Sequence, residues 1–564
     1  MTDPLTPDAV LNLTEKTNSP PSPRGAYTPR IAAKALDGMI EPFPGYPDMP
    51  FDEEFDWEHE EPGLVQTYQL YLHNLKVVNE LLHEYWLTQD RRYVKQAERI
   101  VSSWLAYIDS GRTTAMTWTD HGIAGRARVL IYHAYSCRHA GVPADQKRLA
   151  EAVRQHAELL MSDEKHGMNN HGIMMDHALI CCGFVLDDPV YVLQGLGRVR
   201  AIFWQTYSHR GVHQENSPEY HRMVTGMFWR LEAYLAENGQ TLGKRVLDAL
   251  QRADEYFAVL AKPDGRIPQF GDTTSDTISA SEIRWGSFHD ELSGTTIIKN
   301  REQRSHLGFI CGLSSRTHKH ADDLSIILSS QGVDFLVDAG KYNYGNNKFR
   351  RYIISNKAHS SFALGRNYTR PADNTMTRRI ATDHFLDTRL FTVVSGYIAT
   401  YEDAFLRRTV YAIPSEDLVL IRDEGITQRE EEVWYQRFNL HATVETQRVD
   451  ESAVRLTRDG VSVLLRTDPH MSIEVLHGNP QSSWPKAVNS PRGGKAVPTR
   501  QIISTRRGGD LLDAVTSISL TGSERTITTA CGDGIFRVTA DGREYQLPEF
   551  DLYPSEMFSP RWAE

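Results

Sequence analysis

Cysteine is scarce in this 564-residue chain: Cys137, Cys181, Cys182, Cys311 and Cys531 are the five present. They are odd in number and scattered, the neighbours Cys181 and Cys182 are poorly placed to pair, and no C-x-x-C occurs. A disulfide scaffold and a cysteine-built zinc finger are therefore not expected. No run approaches the ~18 consecutive apolar residues that a membrane helix needs. The start, MTDPLTPDAVLNL, lacks a basic stretch leading into an apolar core, so a secretion signal is not read and a cytoplasmic location is expected. Positive charge is in deficit, with 62 Lys+Arg against 73 Asp+Glu and a net charge of −11. That balance argues against nucleic acid or an anionic membrane as the main partner, while leaving room for a local basic cleft. Walker A, G-x-G-x-x-G, G-x-S-x-G and H-E-x-x-H motifs are missing from any fitting context, which removes support for nucleotide-dependent, flavin and zincin-protease chemistry.

What is present is a globular composition, 40% hydrophobic and 24% charged, long enough for two large domains or three to four ordinary ones at ~100–200 residues each. Residues 1–60 are rich in Pro and acidic groups and read as an extended arm docked through Tyr46, Phe51, Phe55 and Trp57, with a disordered tail as the alternative for roughly the first 25 residues. From 64 to 262 the period is helical: LVQTYQLYLHNLKVVNELLHEYWL places apolar residues at i, i+3, i+4 and i+7, and six further segments continue the pattern between short breakers. Such helices suggest stacked helical hairpins. A solenoid would look similar, but no fixed repeat period occurs. After Gly271 the runs become short and β-rich, with evenly spaced turns, as in a large antiparallel sandwich. The expected organisation is an arm over 1–60, a helical domain over 61–280 and a β domain over 281–564. A cleft between two such bodies is a preferred ligand site.

Four clusters crowd polar groups where burial or a loop end is expected. HGMNNHGIMMDHALI holds His166, Asn169, Asn170, His171, Asp176 and His177 at the start of an apolar helix. Asn there is first of all a helix cap, yet an amide beside an imidazole also offers a neutral donor and a titratable group. HQENSPEYHRMV carries Glu215, Ser217, Tyr220 and His221. Ser217-Pro218 reads as N-cap and N1, which sets Tyr220 and His221 on the first helical turn. There a Tyr is ordinarily core, but beside histidines its hydroxyl can move a proton. In RTHKHADDLSIILSSQGVDFLVDAGKYNYG, His318 and His320 alternate at the entrance to a strand and so share a face. Such a pair holds zinc when further ligands exist, with Asp338 and His359 as candidates. Two surface histidines flanking a turn are the alternative. IPQFGDTTSD places Gly271 and Asp272 at the hinge between the two textures, where a Gly-Asp turn is the ordinary reading.

Taken in order, these residues resemble the heparinase II/III-like polysaccharide lyase superfamily. The most specific stretch is HKHADDLSIILSSQGVDFLVDAGKYNYG followed by AHSSFAL. The Asn-His cluster, NSPEYH, IPQFGDTT and the early FDEEFDWEHEEP fall in the expected order before it. The resemblance covers roughly residues 50–370, and residues 370–564 match only as a β-rich domain. It implies an N-terminal (α/α) toroid of helical hairpins followed by an antiparallel β-sandwich, and β-elimination on a uronic-acid-containing glycan of glycosaminoglycan, alginate or exopolysaccharide type. Abstraction of the C5 proton is hindered by the adjacent carboxylate, so hydrogen bonds that stabilise the developing enolate-like charge are required. By motif match, Asn170 with His171 would neutralise that carboxylate, Tyr220 would act at the C5 proton and the leaving O4, and His318 and Tyr344 would assist. Asn169, Glu215, His221, Arg222 and Asp272 would line the substrate. A phenol with an ordinary pKa near ~10 needs cationic or hydrogen-bonding neighbours to serve as a base at neutral pH.

The resemblance also implies a structural zinc ion on His320, Asp338 and His359, and is compatible with a homo-oligomer. Where the family usually carries a His-Asn pair, this chain has His359-Ser360. Arg126, Arg128, Arg222 and Arg350 are candidates for carboxylate or sulfate recognition and equally for ordinary ion pairs. Two other functions compete. One is a toroidal glycoside hydrolase recruiting paired carboxylates from Glu215, Asp272 and Asp176. The other is a glycan-binding protein without turnover.

Overall fold

The computed structural model describes residues 10–366, 379–550 and 552. The chain divides into two compact units, Met1–Thr206 with Gly226–Asp248, and Tyr207–Thr225 with Ala249–Glu564. The segments 207–225 and 249–280, grouped with the helical domain on sequence texture, cluster with the sheet-bearing unit.

In the first unit the helices are α1 (Thr28–Leu36), α2 (Val65–His73), α3 (Lys76–Thr88), α4 (Arg91–Asp109), α5 (Asp120–Ala140), α6 (Gln146–Met161), α7 (Asn170–Leu186) and α8 (Pro189–Thr206). Their ends follow local chemistry. The side chains of Asp90, Thr119 and Asp145 each accept a backbone N–H at a helix start, and α5 stops at Gly141 in the left-handed region. Successive helices pair as hairpins (α3 with α4, α5 with α6, α7 with α8), while α1, α3, α5 and α7 pack on one another. This is the expected (α/α) toroid. It explains why α5 and α7 are buried on nearly every side, α7 with an almost wholly apolar sequence and α5 with polar groups such as Arg126 and His133 satisfied internally. The arm does dock by aromatics: Phe51, Phe55 and Trp57 are buried, and Trp57 donates its indole N–H to Ser103 Oγ at 3.1 Å. It is not simply extended, because it contains α1, and the described part of the first 25 residues is no free tail: Leu11 and Leu13 are buried and Asn12 donates its backbone N–H to Val185.

Two further helices, α9 (Pro218–Glu237) and α10 (Lys244–Leu260), carry the chain between the units. The second unit is built on two facing antiparallel layers, with a small three-stranded sheet (Ile527–Gly532, Ile535–Ala540, Arg543–Pro548) packed on the larger one through Phe536 and Val538. One layer has eight strands in the order Glu445–Arg448, Ala453–Arg458, Val461–Arg466, Leu511–Ser519, Leu418–Thr427, Ala404–Ile413, Thr392–Ile398, Ile380–Asp387. The facing layer joins a five-stranded sheet (Gly286–Asp290, Thr295–Asn300, Ser305–Ile310, Ser325–Ser330, Val333–Leu336) to a four-stranded one (Ser472–His477, Arg500–Arg507, Val433–Asn439, Phe362–Leu364) through a bridge from Leu336 to Leu440. Alternating residues of both layers, among them Leu307, Phe309, Ile326, Leu406, Val410, Ile421 and Trp434, form one buried core. The end of α10 covers the outer face of the five-stranded sheet through Phe257, Leu260, Ile297 and Ile327.

A charge pair lies inside this sandwich. Arg408 and Asp423, both fully buried, make a bidentate contact at 2.7 Å for each nitrogen. The remaining Arg408 nitrogen donates to the carbonyls of Leu324 and Ser360 at 2.7 and 2.8 Å. It thereby holds the ends of two loops, one bearing His320 and the other His359.

Candidate active site and metal centre

The first turn of α9 is built as the sequence predicts. Asn216 sits in the left-handed region (φ 58°), Ser217 Oγ caps the Tyr220 N–H at 3.4 Å, and Pro218 opens the helix. The Ser217 hydroxyl also donates to the Asp272 carbonyl at 3.0 Å. Gly271, at φ 52°, lies so close to the Asn216 and His318 carbonyls that a β-carbon there would stand 2.3 and 2.8 Å from their oxygens. Asn216 Nδ2 donates to the carbonyls of Ser315 and Thr317 at 2.8 and 3.0 Å. Three segments (215–221, 270–274 and 315–320) are therefore held together by the side chains of Asn216 and Ser217 on backbone carbonyls and by the close approach of main chain at Gly271.

On this frame Tyr220 and His318 stack with ring centroids 3.4 Å apart. The Tyr220 and Tyr344 hydroxyls are 2.8 Å apart, and Tyr344 Oη is 3.3 Å from His318 Nδ1. Asp272 is the hub beneath them. It is 1% exposed, and its oxygens receive His318 Nδ1 at 3.1 Å, His320 Nε2 at 3.0 Å and both terminal nitrogens of Arg350. Burial alone would raise its pKa, but the hydrogen bonds from His318, His320 and Arg350 outweigh that and hold the carboxyl far below the usual carboxylate range. Tyr344, 57% exposed as a residue, is driven the other way: desolvation of its hydroxyl, the contact with Tyr220 and the Asp272 charge push its phenol up, so it stays protonated. Lys341 adds a cation 4.9 Å from the Tyr344 ring centroid and 5.6 Å from that of Tyr220, and it pairs with Glu219 at 2.9 Å.

Below this cluster His320, Asp338 and His359 converge, all buried, with one ligand atom from each within 4.8 Å of the others. His320 uses Nε2 on Asp272 and leaves Nδ1 without a partner. His359 uses Nδ1 on Asp338 at 3.0 Å and leaves Nε2 without a partner. Two orphaned imidazole nitrogens beside a buried carboxylate fit a divalent metal, with Asp272 as the outer carboxylate that orients His320. Ser360, where a His-Asn pair was expected, accepts the Asn439 N–H at its hydroxyl at 2.9 Å.

Several expectations are corrected. His318 and His320 do not alternate on a strand. They lie in a loop before the strand Ser325–Ser330, with His318 at φ 57°, and a shared carboxylate, not pleat geometry, brings both rings to one place. Asp272 faces protein, not an open cleft, so it is an anchor and not a substrate ligand. His221 is a core histidine: it is 1% exposed, its Nε2 meets the Ala253 carbonyl at 2.8 Å, and burial pushes its pKa down to about 4. Arg222 is committed to Asp276 at 2.9 Å and Arg350 to Asp272. Arg126 donates to His73 O, Thr117 O and His156 Nε2, and Arg128 to Ser19 and to the carbonyls of Pro20 and Pro21. Glu215 is buried with Oε2 3.7 Å from His318 Nε2.

The Asn-His cluster belongs to the first unit. Asn169 is the N-cap of α7, its side-chain oxygen accepting from the His171 and Gly172 N–H groups, as the capping reading has it. Asn170 is the first helical residue and half-exposed, and His171 Nδ1 meets Asp120 Oδ2 at 2.8 Å. Asp176 is buried against His166 and Arg198. Lys341 and Glu219 were missed, since no spacing rule singles out a lysine three residues after a buried aspartate or a glutamate in a helical first turn.

Two family models match the chain: heparinase II/III N-terminus over residues 19–290, and heparinase II/III-like, C-terminal, over residues 285–532. Among solved structures, the chain is similar to a mutant heparan sulfate lyase from Pedobacter heparinus (16% identity, TM-score 0.74, 95% of this chain and 92% of that one). It is also similar to a heparinase III gene product with methylated lysines (14%, 0.75, 93% and 90%) and to a further heparinase III (15%, 0.74, 96% and 93%). No curated protein sequence matches.

Proposed function

The chain belongs to the heparinase II/III-like family, and on that premise we propose that it is a polysaccharide lyase that cleaves a uronic-acid-containing glycosaminoglycan by β-elimination. The solved relatives named as heparan sulfate lyases favour a heparan-type polymer. The observation that carries the reading is the stacked pair Tyr220–His318 with the Tyr344 hydroxyl bridging to it. Tyr220 works at the C5 proton. Its hydroxyl lies 2.8 Å from that of Tyr344, and the Lys341 cation sits near both rings. The His318 Nδ1–H donates a hydrogen bond to the Asp272 carboxylate, which holds the ring in place and leaves Nε2 to serve as the second proton-transfer atom. Asn170 and His171 neutralise the uronate carboxylate, a role carried by the resemblance. No water is consumed, and a C4–C5 double bond is left on the new non-reducing end.

His320, Asp338 and His359 would hold a zinc ion, whose contribution when bound is to fix the two loops that carry His318 and His359. A hydrolase has less support: of the three candidate carboxylates, Asp272 and Asp176 are buried and engaged by cations, leaving no pair free to flank a glycosidic bond. The test is a panel of uronate polymers followed by the ultraviolet absorbance of the unsaturated product. Wild type should generate it on at least one polymer, and Tyr220→Phe should lose ~100-fold or more in kcat while remaining folded. Turnover in Tyr220→Phe equal to wild type removes Tyr220 from the chemistry, and products without the chromophore remove elimination.

A further inference from the structure

Helices α4 and α5 bring three metal-ligating side chains to one point in the first unit, none of them used in the chemistry above. His133 and Cys137 are four residues apart on α5 and so share one face, and both are fully buried. Glu98 comes from α4. Its Oε2 is 2.6 Å from His133 Nε2 and 3.9 Å from Cys137 Sγ, and that sulfur is 3.4 Å from the same nitrogen. The point equidistant from the three atoms lies in their plane about 2.0 Å from each, close to a zinc–nitrogen or zinc–oxygen bond and under the ~2.3 Å of zinc–sulfur, so a four-coordinate ion requires Glu98 Oε2 and His133 Nε2 to part from their 2.6 Å contact. The second Glu98 oxygen accepts from the Ser102 hydroxyl at 2.8 Å, which orients the carboxylate as outer-shell partners do. The Glu98 side chain is 19% exposed, whereas His133 and Cys137 are fully buried.

We infer that Glu98, His133 and Cys137 form a second divalent-cation site, for a thiophilic ion of the zinc class, with water in the fourth position. The mixed sulfur, nitrogen and oxygen set suits zinc or cobalt and disfavours magnesium or calcium, which take oxygen alone. On binding, the Cys137 thiol loses its proton to solvent, and the His133 Nε2 lone pair takes the cation in place of its contact with Glu98.

The site differs from the His320 centre in one measurable respect, because only it offers sulfur. Full-length protein stripped with a chelator is titrated with cobalt(II) chloride. Sulfur-to-cobalt charge-transfer absorbance should appear in wild type and in His320→Ala and vanish in Cys137→Ala, which should also bind one equivalent less than wild type. No such band in wild type overturns the site and leaves a His–Glu hydrogen bond beside a thiol that only fills space. A band that persists in Cys137→Ala also overturns it and assigns the sulfur to another thiol, such as the exposed Cys531. Should Cys137→Ala fail to fold, Glu98→Gln serves instead: cobalt affinity must fall about tenfold or more, and unchanged affinity refutes the proposal.

Discussion

Gly271→Ala is the sharpest test of how the active-site segments are held. At φ 52° an alanine costs about 1–2 kcal/mol in backbone energy alone. Its β-carbon would then stand 2.3 Å from the Asn216 oxygen and 2.8 Å from the His318 oxygen, and both obstacles are main chain, so no side chain can swing aside. Relief requires the two segments to part by about 1 Å, and they are the ones that aim Tyr220 and His318. A displacement of that size at a reacting pair costs ~100-fold in rate. The expected outcome is a kcat lower by about two orders of magnitude, with a loss of ~2–3 kcal/mol in stability from the strained backbone and the moved loops. Initial rates by product absorbance and urea midpoints measure the two. Gly460→Ala is the control: its φ of 78° is equally left-handed, but nothing lies within 4 Å of its would-be β-carbon. It should lose stability and keep its rate. Wild-type kcat and KM in Gly271→Ala, or equal rate losses in both variants, would refute the claim that backbone contact at Gly271 sets the Tyr220–His318 geometry.

Arg408→Met should cost ~3–5 kcal/mol, because Asp423 is left charged and buried, whereas Arg408→Met with Asp423→Leu should recover most of that in urea unfolding and still show weakened metal retention, the Leu324 and Ser360 carbonyls having lost their donor. Glu41 is held down to about 2 chiefly by its hydrogen bond from Arg30, with Lys34 and the Gly45 N–H assisting against burial. A depressed carboxylate stabilises above its unfolded value near 4.5 and ceases to as pH falls from there to about 2, so the stability gap between wild type and Glu41→Gln, at most ~3 kcal/mol at pH 7, should close across that window in urea titrations. His359→Ala should release one equivalent of metal and lower thermal stability, as read by elemental analysis and calorimetry; retention of the full metal content would remove His359 from the ligand set.

The two textures of the chain were legible because periodicity survives averaging: a 3.6-residue pattern over two hundred residues and evenly spaced β runs each repeat many times. The Ser217-Pro218 start of α9 was legible for a different reason, since capping chemistry is local. The H-K-H loop was not. Reading it as a strand gave the right neighbours for the wrong cause, because the left-handed conformation of His318 and the pull of Asp272, 46 residues earlier, are set by tertiary contact. For the same reason Asp272 looked like a turn residue or a substrate ligand when it is a buried hydrogen-bond acceptor for two histidines and the counter-ion of an arginine. His221 was adjacent to a catalytic candidate in sequence, yet one helical step turns a side chain by ~100°, enough to send it from the site into the core.

Asp272 has one oxygen on each histidine: Oδ2 on His318, beside the phenols, and Oδ1 on His320, at the metal centre. Whatever polarises one ring is felt by the other through a single carboxylate. Occupancy of the two sites is then subject to reciprocity: by whatever factor a bound cation tightens the hold on the glycan, the glycan must tighten the hold on the cation. Where that factor exceeds one, saccharide should protect a bound ion against chelators.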